Sequence, residues 1–174
     1  VPPPPAPAPE TLPTTVRASK VWLMRHSRKG PELLSFIRAD SDESKPQYDT
    51  FGGKMERKDD GQPHRCALRE LREEARIPAR WTDTITTELA ADPDGHSNYT
   101  ITRPSDGQQH DVSVWLVKIA PEISRMPVRV TPDGQREMIT DSLAWRPYRD
   151  VVDNLKTFNT FARTADVLQA LVSA

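Results

Sequence analysis

Three glutamates and an arginine lie close together in the segment Arg69-Glu70-Leu71-Arg72-Glu73-Glu74. Residues three and four apart are neighbours on an α-helix, so Glu70, Glu73 and Glu74 would converge on one side of a helix. Like charges at this spacing repel by roughly a few tenths of a kcal/mol per pair, a cost that a divalent cation would remove. Mg²⁺ prefers carboxylate oxygens and bridges to phosphates. The spacing therefore predicts a magnesium site that could serve phosphate chemistry.

A glycine pair precedes this helix. Gly52 can offer its carbonyl oxygen to a ligand, and Gly53 can adopt dihedral angles that other residues avoid. A strand ending at residues 48–51 would lead into the glycine turn, and Pro63 suits the first turn of the following helix. The turn and the helix would thus supply the two halves of one site.

The glycine pair, the acidic loop and the Arg-Glu-Leu-x-Glu-Glu segment, from Gly52 to Ile77, resemble the Nudix box, the signature of the Nudix hydrolases. The resemblance implies that Glu73 and Glu74 bind Mg²⁺, or Mn²⁺ as a substitute, beside the Gly52 carbonyl. It implies that Glu70 is a further metal ligand or the general base. Arg69 would then orient a glutamate through a charge-assisted hydrogen bond.

The segment departs from the Nudix pattern at two places. The loop between Gly53 and Arg69 is two residues longer than usual, so its acidic residue is either Asp59 or Asp60. Arg76 replaces the usual final glycine, and a left-handed arginine there would cost about 1 kcal/mol. Neither departure alters the three glutamates.

The resemblance implies a Mg²⁺-dependent pyrophosphohydrolase that cleaves the diphosphate linkage of a nucleoside diphosphate derivative. A nucleotide, a sugar nucleotide and a dinucleoside polyphosphate all remain candidate substrates. Two alternatives stay open: a non-catalytic Nudix-fold module that binds RNA or a nucleotide or regulates a partner, and an mRNA decapping hydrolase. The net charge of −1 provides no global attraction to RNA, so RNA binding would need local basic patches.

Other side chains could complete the site. Glu137 or Asp141 could supply a general base from a later loop. The basic residues that could contact substrate phosphates are Arg25, Arg28 and Lys54, with Lys29, Arg57 and Lys58 as further members of the set. The aromatic residues that could stack on a base are Tyr48 and Phe51, with Trp22 and Tyr99 as further members.

The remaining aromatic and titratable residues carry weaker signals. Trp81 and Trp115 are expected to pack in the core. The histidines share no metal-ligand spacing and are expected on the surface or in loops: His26, His64, His96 and His110. Cys66, the single cysteine, is expected to pack near the core edge, since no His-Asp partner pattern accompanies it.

The composition of the chain limits the classes of protein to which it can belong. With 174 residues, 36% hydrophobic and 28% charged, the chain predicts one soluble domain without a membrane span or a secretory signal. A single cysteine fits a reducing compartment, so a cytoplasmic location is expected, with an organelle as an alternative. The first residue is Val, which indicates a processed, trimmed or fusion-derived start.

The domain is expected at residues 18–174, after a flexible proline-rich tail at residues 1–17 that could bind a proline-recognising protein partner. Hydrophobic patterns predict strands at residues 21–24, 33–37, 84–89, 98–102 and 112–119, and another near residue 145. They predict helices at residues 149–155 and 158–172 in addition to the glutamate-rich one. This order indicates an α/β fold, and the resemblance implies a Nudix-like α/β/α sandwich with a mixed central sheet.

Overall fold

A mixed β-sheet lies between two layers of helices in the computed structural model, which describes residues 1–6, 15–103 and 106–174. The strands are β1 (Val16–Ser27), β2 (Gly30–Ile37), β3 (Tyr48–Asp49), β4 (Phe51–Lys54), β5 (Ala75–Arg76), β6 (Ser97–Thr102), β7 (Gln109–Lys118), β8 (Arg129–Val130) and β9 (Ala144–Pro147). The α-helices are α1 (Pro63–Glu74), α2 (Ala79–Ala91), α3 (Pro132–Glu137), α4 (Tyr148–Lys156) and α5 (Ala162–Ser173). The expected α/β/α sandwich is confirmed.

The sheet is organised around β1. Its main path runs β3-β2-β1-β7-β6, with β4 paired to β1 and β9 paired to β2. β1 and β7 are parallel, with Val16 opposite His110 and Trp22 opposite Leu116, whereas β4 is antiparallel to β1 and places Gly52 opposite Lys20. The strand that contains the glycine pair, β4, is therefore fixed against the central strand of the sheet.

Alternation along β1 and β7 divides the core into two layers. Val21 and Leu23 face α1 and α2, where they pack with Trp115 and Leu71. Trp22 and its alternate neighbours face α4 and α5. Each face of the sheet is thus covered by helices.

The segment at residues 84–89 was predicted as a strand, and this prediction is wrong because the segment lies inside α2. Its β-branched residues favour a strand in isolation. However, Trp81, Ile85 and Leu89 recur at every fourth position and are all buried against the sheet. Burial of one helical face outweighs the local preference.

The start of the domain differs slightly from the prediction, since β1 begins at Val16, two residues before the predicted boundary at residue 18. Residues 1–6 are exposed and lack regular secondary structure. The part of the predicted tail at residues 7–14 lies outside the described residues. Among the helices of the described residues, none has the length and apolar character needed to cross a membrane.

Candidate active site

Arg69 contacts acidic groups on two sides. Its Nε and Nη2 atoms donate to the two carboxylate oxygens of Asp59 at 2.7 and 2.9 Å. Its Nη1 atom donates to Glu70 Oε1 at 3.0 Å and to Glu73 Oε2 at 3.1 Å. A planar guanidinium held by a bidentate carboxylate has little rotational freedom, so Arg69 holds the two glutamates in defined positions.

The acidic residue of the lengthened loop is Asp59. Its side chain is 2% exposed and also accepts a hydrogen bond from the Glu56 amide at 2.8 Å. The hydrogen bond from Arg69 lowers the pKa of the Asp59 carboxyl. Asp60 and Gly61 follow with positive φ values of 56° and 70°, and this tight turn accommodates the two additional residues.

Glu74 is buried beside the glycine pair of strand β4. It is 5% exposed, and its Oε1 atom accepts a hydrogen bond from the Gly52 amide at 2.9 Å. Burial raises the pKa of the Glu74 carboxyl to about 8. A carboxylate taken out of water in this way needs a positive partner to remain charged at neutral pH.

Glu70 lies directly against Gly53. A Cβ atom added to Gly53 would come within 2.4 Å of the Glu70 Cδ atom, so only glycine leaves room for this carboxylate. Burial raises the pKa of the Glu70 carboxyl, while Arg69 acts in the opposite direction. The expectation of a turn with unusual dihedral angles at Gly53 is wrong, because Gly52 and Gly53 lie within strand β4 and neither has a positive φ. The glycine pair contacts Glu74 through the Gly52 amide and makes room for Glu70 at Gly53.

Glu73 occupies a different position from the other two glutamates. Its side chain is 39% exposed and lies 3.4 Å from the Lys58 ammonium. Among the described residues, no group of three or more His, Cys, Asp or Glu side chains is placed to hold a metal ion. Glu70 and Glu74 line the cleft and Glu73 does not, so the role of Glu73 as a metal ligand stays a prediction.

Two carboxylates and a backbone carbonyl still fit Mg²⁺. This ion commonly uses one or two protein carboxylates and fills its remaining positions with water and substrate phosphate. The donor set of Glu70, Glu74 and the Gly52 carbonyl contains only oxygen, which suits a hard cation. The burial of the Glu74 carboxyl is the observation that such an ion would explain.

A cleft of about 890 Å³ opens beside these glutamates. Its floor includes alternate residues of β1, namely Ala18, Lys20 and Trp22, and residues of β6 and β7. One wall is formed by the glycine pair of β4 together with Glu56, Glu70 and Glu74. Thr160, Phe161 and Thr164 contribute from the beginning of α5 and the turn before it. A ligand in this cleft would therefore contact both carboxylates.

The description "NUDIX domain" belongs to a family model that matches residues 13–167 of the chain. The chain belongs to the Nudix family. It is accordingly a hydrolase acting on pyrophosphate bonds.

Solved Nudix structures share the fold. The binary complex of the C. elegans Ap4A hydrolase has a TM-score of 0.60 and 16% identity, covering 91% of this chain and 96% of that one. A Nudix hydrolase from Alicyclobacillus acidocaldarius has a TM-score of 0.60 and 18% identity, covering 94% of each chain. RenU, a Nudix hydrolase from M. smegmatis, has a TM-score of 0.53 and 19% identity, covering 90% of this chain and 84% of that one. No curated protein matches the chain.

The final glycine of the Nudix box is replaced without strain. The expectation of a left-handed Arg76 is wrong, because α1 ends directly into β5, where Arg76 pairs with Arg129. Ala75, which follows the helix, has extended dihedral angles of −144° and 150°. The chain leaves the Nudix helix as a strand, so no residue there needs a positive φ.

Lys54 is the one member of the predicted basic set that lines the cleft. Arg25 instead forms an ion pair with Glu32 at 3.0 Å, and its guanidinium lies 4.6 Å from the Trp145 ring centre. Arg28 lies in the β1–β2 turn. The structure therefore does not bring Arg25 or Arg28 to the cleft.

Of the predicted aromatic residues, Trp22 and Tyr99 line the cleft, whereas Phe51 and Tyr48 do not. Phe51 is 1% exposed and packs against Phe36 with ring centres 5.9 Å apart. The Tyr48 ring is covered by the Arg146 guanidinium at 4.6 Å. Of the two loop acids, Glu137 lines the cleft, whereas Asp141 does not.

Several cleft residues were missed by the sequence analysis. Arg38 pairs with Asp40 and Asp49, and Lys20 shares Asp49 at 3.0 Å. Arg103, Arg136 and Gln47 also line the cleft. His110, expected on the surface or in a loop, is 7% exposed within β7 and lines the cleft. Alternation along β1 and β7 is the sequence signal that places Lys20 and His110 on one face.

Trp81 and Trp115 are both fully buried, as expected for packing residues. Cys66 is buried as well, and burial raises the pKa of its thiol to about 11. A thiol with so high a pKa is a poor nucleophile at neutral pH.

Proposed function

We propose that this chain is a Mg²⁺-dependent Nudix pyrophosphohydrolase, with Mn²⁺ as a substitute, acting on a nucleoside diphosphate joined to a second group. The observation that carries the proposal is the buried Glu74 carboxylate, held by the Gly52 amide at the wall of a large cleft. A compact domain has no structural use for a buried carboxylate with one neutral donor, because its desolvation is costly.

Glu70, Glu74 and the Gly52 carbonyl would hold the metal, with Glu73 as a further predicted ligand. When bound, the ion supplies positive charge to the phosphate oxygens and lowers the pKa of a coordinated water. Arg69 keeps Glu70 in place through the hydrogen bond at 3.0 Å. Lys54 brings a cation to the same wall of the cleft, where a phosphate could bind.

Two carboxylates are candidates for the general base. Glu70 lies on the Nudix helix beside Gly53. Glu137 lies at the end of α3 and also lines the cleft. Glu137 is not part of the Arg69 cluster, so it is free of the strong ion pairs that hold Glu70. A base must reach the attacking water, and both side chains line the space in which that water would lie.

The test is hydrolysis of a panel of diphosphate compounds with Mg²⁺ or Mn²⁺, including a dinucleoside polyphosphate because one similar fold is that of an Ap4A hydrolase. We expect Glu74→Gln and Glu73→Gln each to lower kcat/KM by at least roughly 100-fold, with folding retained. Glu122→Gln removes the same charge at an exposed position outside the cleft and should retain full activity.

The outcomes separate an enzyme from a binding module. Equal activity of the wild type and Glu74→Gln would refute the metal assignment. A wild-type protein that binds nucleotide or RNA but hydrolyses no compound of the panel would favour the non-catalytic alternative. We also propose an intracellular, reducing location, which the buried free thiol of Cys66 supports.

A further inference from the structure

Four enclosed side-chain nitrogens have no hydrogen-bond partner within the described residues. They are Trp22 Nε1, Gln47 Nε2, His64 Nδ1 and His110 Nε2. Of these, Trp22, Gln47 and His110 line the cleft, and their exposed fractions are 1%, 8% and 7%. An unpaired buried donor costs about 1–3 kcal/mol, so its presence in a folded protein calls for an explanation.

The three unpaired nitrogens that line the cleft lie at its two opposite ends. His110 is opposite Val16 on β1, and Trp22 lies six positions further along the same strand. At about 3.3 Å per residue, the two are roughly 20 Å apart, further than one base can reach. Strand β4 lies between them, because Gly52, Gly53 and Lys54 pair with Lys20, Ser19 and Ala18 of β1.

Gln47 lies at the Trp22 end. The ion pair between Lys20 and Asp49 joins the segment that carries Gln47 to the strand that carries Trp22. The backbone around Gln47 is also well held, since its carbonyl accepts from the Arg38 amide at 2.9 Å. Asn154 bonds to both neighbouring residues, accepting from the Tyr48 amide and donating to the Pro46 carbonyl. The unpaired amide is therefore positioned by ordered backbone.

The end of the cleft near Trp22 is lined by aromatic rings, and its charged side chains carry no net positive charge. Phe36 and Phe161 line it. Its cations are already paired, Arg38 with Asp40 and Asp49 and Arg136 with Asp133, and Glu137 adds a further carboxylate. These carboxylates would repel a phosphate. A neutral planar heterocycle suits this end better, because aromatic side chains can pack on its faces and N–H donors can bond to its edge.

We propose that Gln47 and Trp22 form the subsite that recognises the nucleobase of the substrate, an inference that rests on the hydrolase function proposed above. The Gln47 amide offers a donor and an acceptor to the base edge, and the Trp22 indole offers a second donor. Both side chains line the cleft, and neither nitrogen has a hydrogen-bond partner among the described residues. The second group of the substrate then extends towards His110, Lys54 and Arg103 at the other end.

The test measures binding, so it does not depend on turnover. Calorimetry gives the affinities of AMP, GMP, CMP, UMP and ribose 5-phosphate, which lacks the base but keeps the sugar and phosphate. We expect the wild type to bind at least one nucleotide roughly 10-fold or more tightly than ribose 5-phosphate. Gln47→Met and Trp22→Phe, which keep the size or the ring but remove the N–H groups, should reduce that preference by about 10-fold each.

His64→Leu is the matched control, because it removes an unpaired enclosed nitrogen from a side chain that does not line the cleft. It should keep the full base preference. Thermal unfolding of Gln47→Met adds a readout: we expect a melting temperature equal to or above that of the wild type, since an unpaired buried group is lost.

The proposal is overturned if the wild type binds none of the four nucleotides more tightly than ribose 5-phosphate, or shows no binding at all. It is equally overturned if Gln47→Met and Trp22→Phe both keep the wild-type preference. Failure of the proposed hydrolase function would give another result. The protein would then cleave no diphosphate compound but would keep its preference for a base.

Discussion

The guanidinium of Arg69 divides the acidic groups of the Nudix site into two sets. Asp59, Glu70 and Glu73 all accept hydrogen bonds from it, so their charges are partly balanced within the protein. Glu74 is excluded from this network and is held by the Gly52 amide alone among the hydrogen bonds of the described residues. Glu74 is thus the carboxylate that gains most from a bound cation.

Gly53→Ala is expected to displace the Glu70 carboxylate, because the new Cβ would lie 2.4 Å from its Cδ and 2.5 Å from Oε1. A side-chain end can rotate away at modest cost, but the hydrogen bond to Arg69 would be lost. We expect kcat/KM to fall by roughly 10-fold or more while the free energy of unfolding changes by less than about 1.5 kcal/mol. Steady-state kinetics and urea unfolding measure the two effects.

A double-mutant cycle provides the control for this prediction. If Gly53 serves to make room for Glu70, adding Gly53→Ala to Glu70→Ala should change activity little beyond the single Glu70→Ala variant. Fully additive losses would show that Gly53 acts through something other than the Glu70 side chain.

At the scale of the elements, the position of the two last glutamates depends on a contact from a later part of the chain. The Thr131 hydroxyl donates to the Glu73 carbonyl, and the Thr131 amide donates to the Glu74 carbonyl at 3.0 Å. Thr131 is also the N-cap of α3, where its hydroxyl accepts from the Gly134 amide at 3.1 Å. The C-terminal end of the Nudix helix is thus capped by the beginning of α3.

Gly134→Ala should destabilise this junction. A Cβ atom at Gly134 would lie 2.1 Å from the Glu74 carbonyl oxygen and 2.8 Å from Val130 Cγ1. The nearer atom belongs to backbone, which cannot rotate away, so we expect a loss of about 1–3 kcal/mol in the free energy of unfolding and a drop in activity. Urea unfolding compares it with Gln135→Ala, an exposed site on the same helix that should change stability by less than about 0.5 kcal/mol. Similar unfolding midpoints for the two variants would contradict the clash.

Sequence patterns predicted the elements whose signal is local. The Nudix helix, both core-forming strands β1 and β7 and the last two helices follow from periodicity and from the glycine and proline positions. Local patterns did not predict the structure of residues 84–89 or of Arg76, because both depend on partners distant in sequence. The sheet buries Ile85, and strand β8 pairs with Arg76. The different partners of Glu73 and Glu74 likewise come from residues distant in sequence, Lys58 and Gly52.

At the scale of the whole molecule, the cleft joins parts of the chain that no local pattern connects. Lys20 and Trp22 come from β1, Gln47 precedes β3, and His110 begins the buried part of β7. Its two ends differ, with the ion pairs of Arg38 and aromatic rings near Gln47, and with Lys54 and the Arg103–Asp106 pair near His110. This asymmetry gives the cleft a direction along which a two-part substrate could be oriented.

His110 should make the fold sensitive to acid. Burial lowers the pKa of the His110 imidazole, and the positive charges of Arg103 and Lys54 act in the same direction. Below the ordinary histidine pKa of about 6.5, the unfolded chain therefore binds more protons at this residue than the folded one, so stability falls with falling pH. Urea unfolding from pH 7.5 to 5.5 should show a larger loss for the wild type than for His110→Phe.

The comparison between the two proteins isolates the histidine. The raised pKa values of Glu70 and Glu74 act in the opposite direction in both proteins and cancel in the difference. Parallel pH profiles for the wild type and His110→Phe would refute the prediction.

Mg²⁺ should reverse the order of stability between the wild type and Glu74→Gln. In excess EDTA, Glu74→Gln should melt at the same temperature or higher, because its amide oxygen still accepts from the Gly52 N–H and the buried group can no longer ionise. A ligand at ten times its Kd stabilises the folded state by about 1.4 kcal/mol, which raises the melting temperature by about 3–6 °C in a domain of this size. Saturating Mg²⁺ should produce a shift of this order in the wild type and little in the variant.

Glu122→Gln, which keeps both cleft carboxylates, should respond to Mg²⁺ like the wild type. Equal shifts in the wild type and Glu74→Gln would mean that the ion binds elsewhere on the molecule.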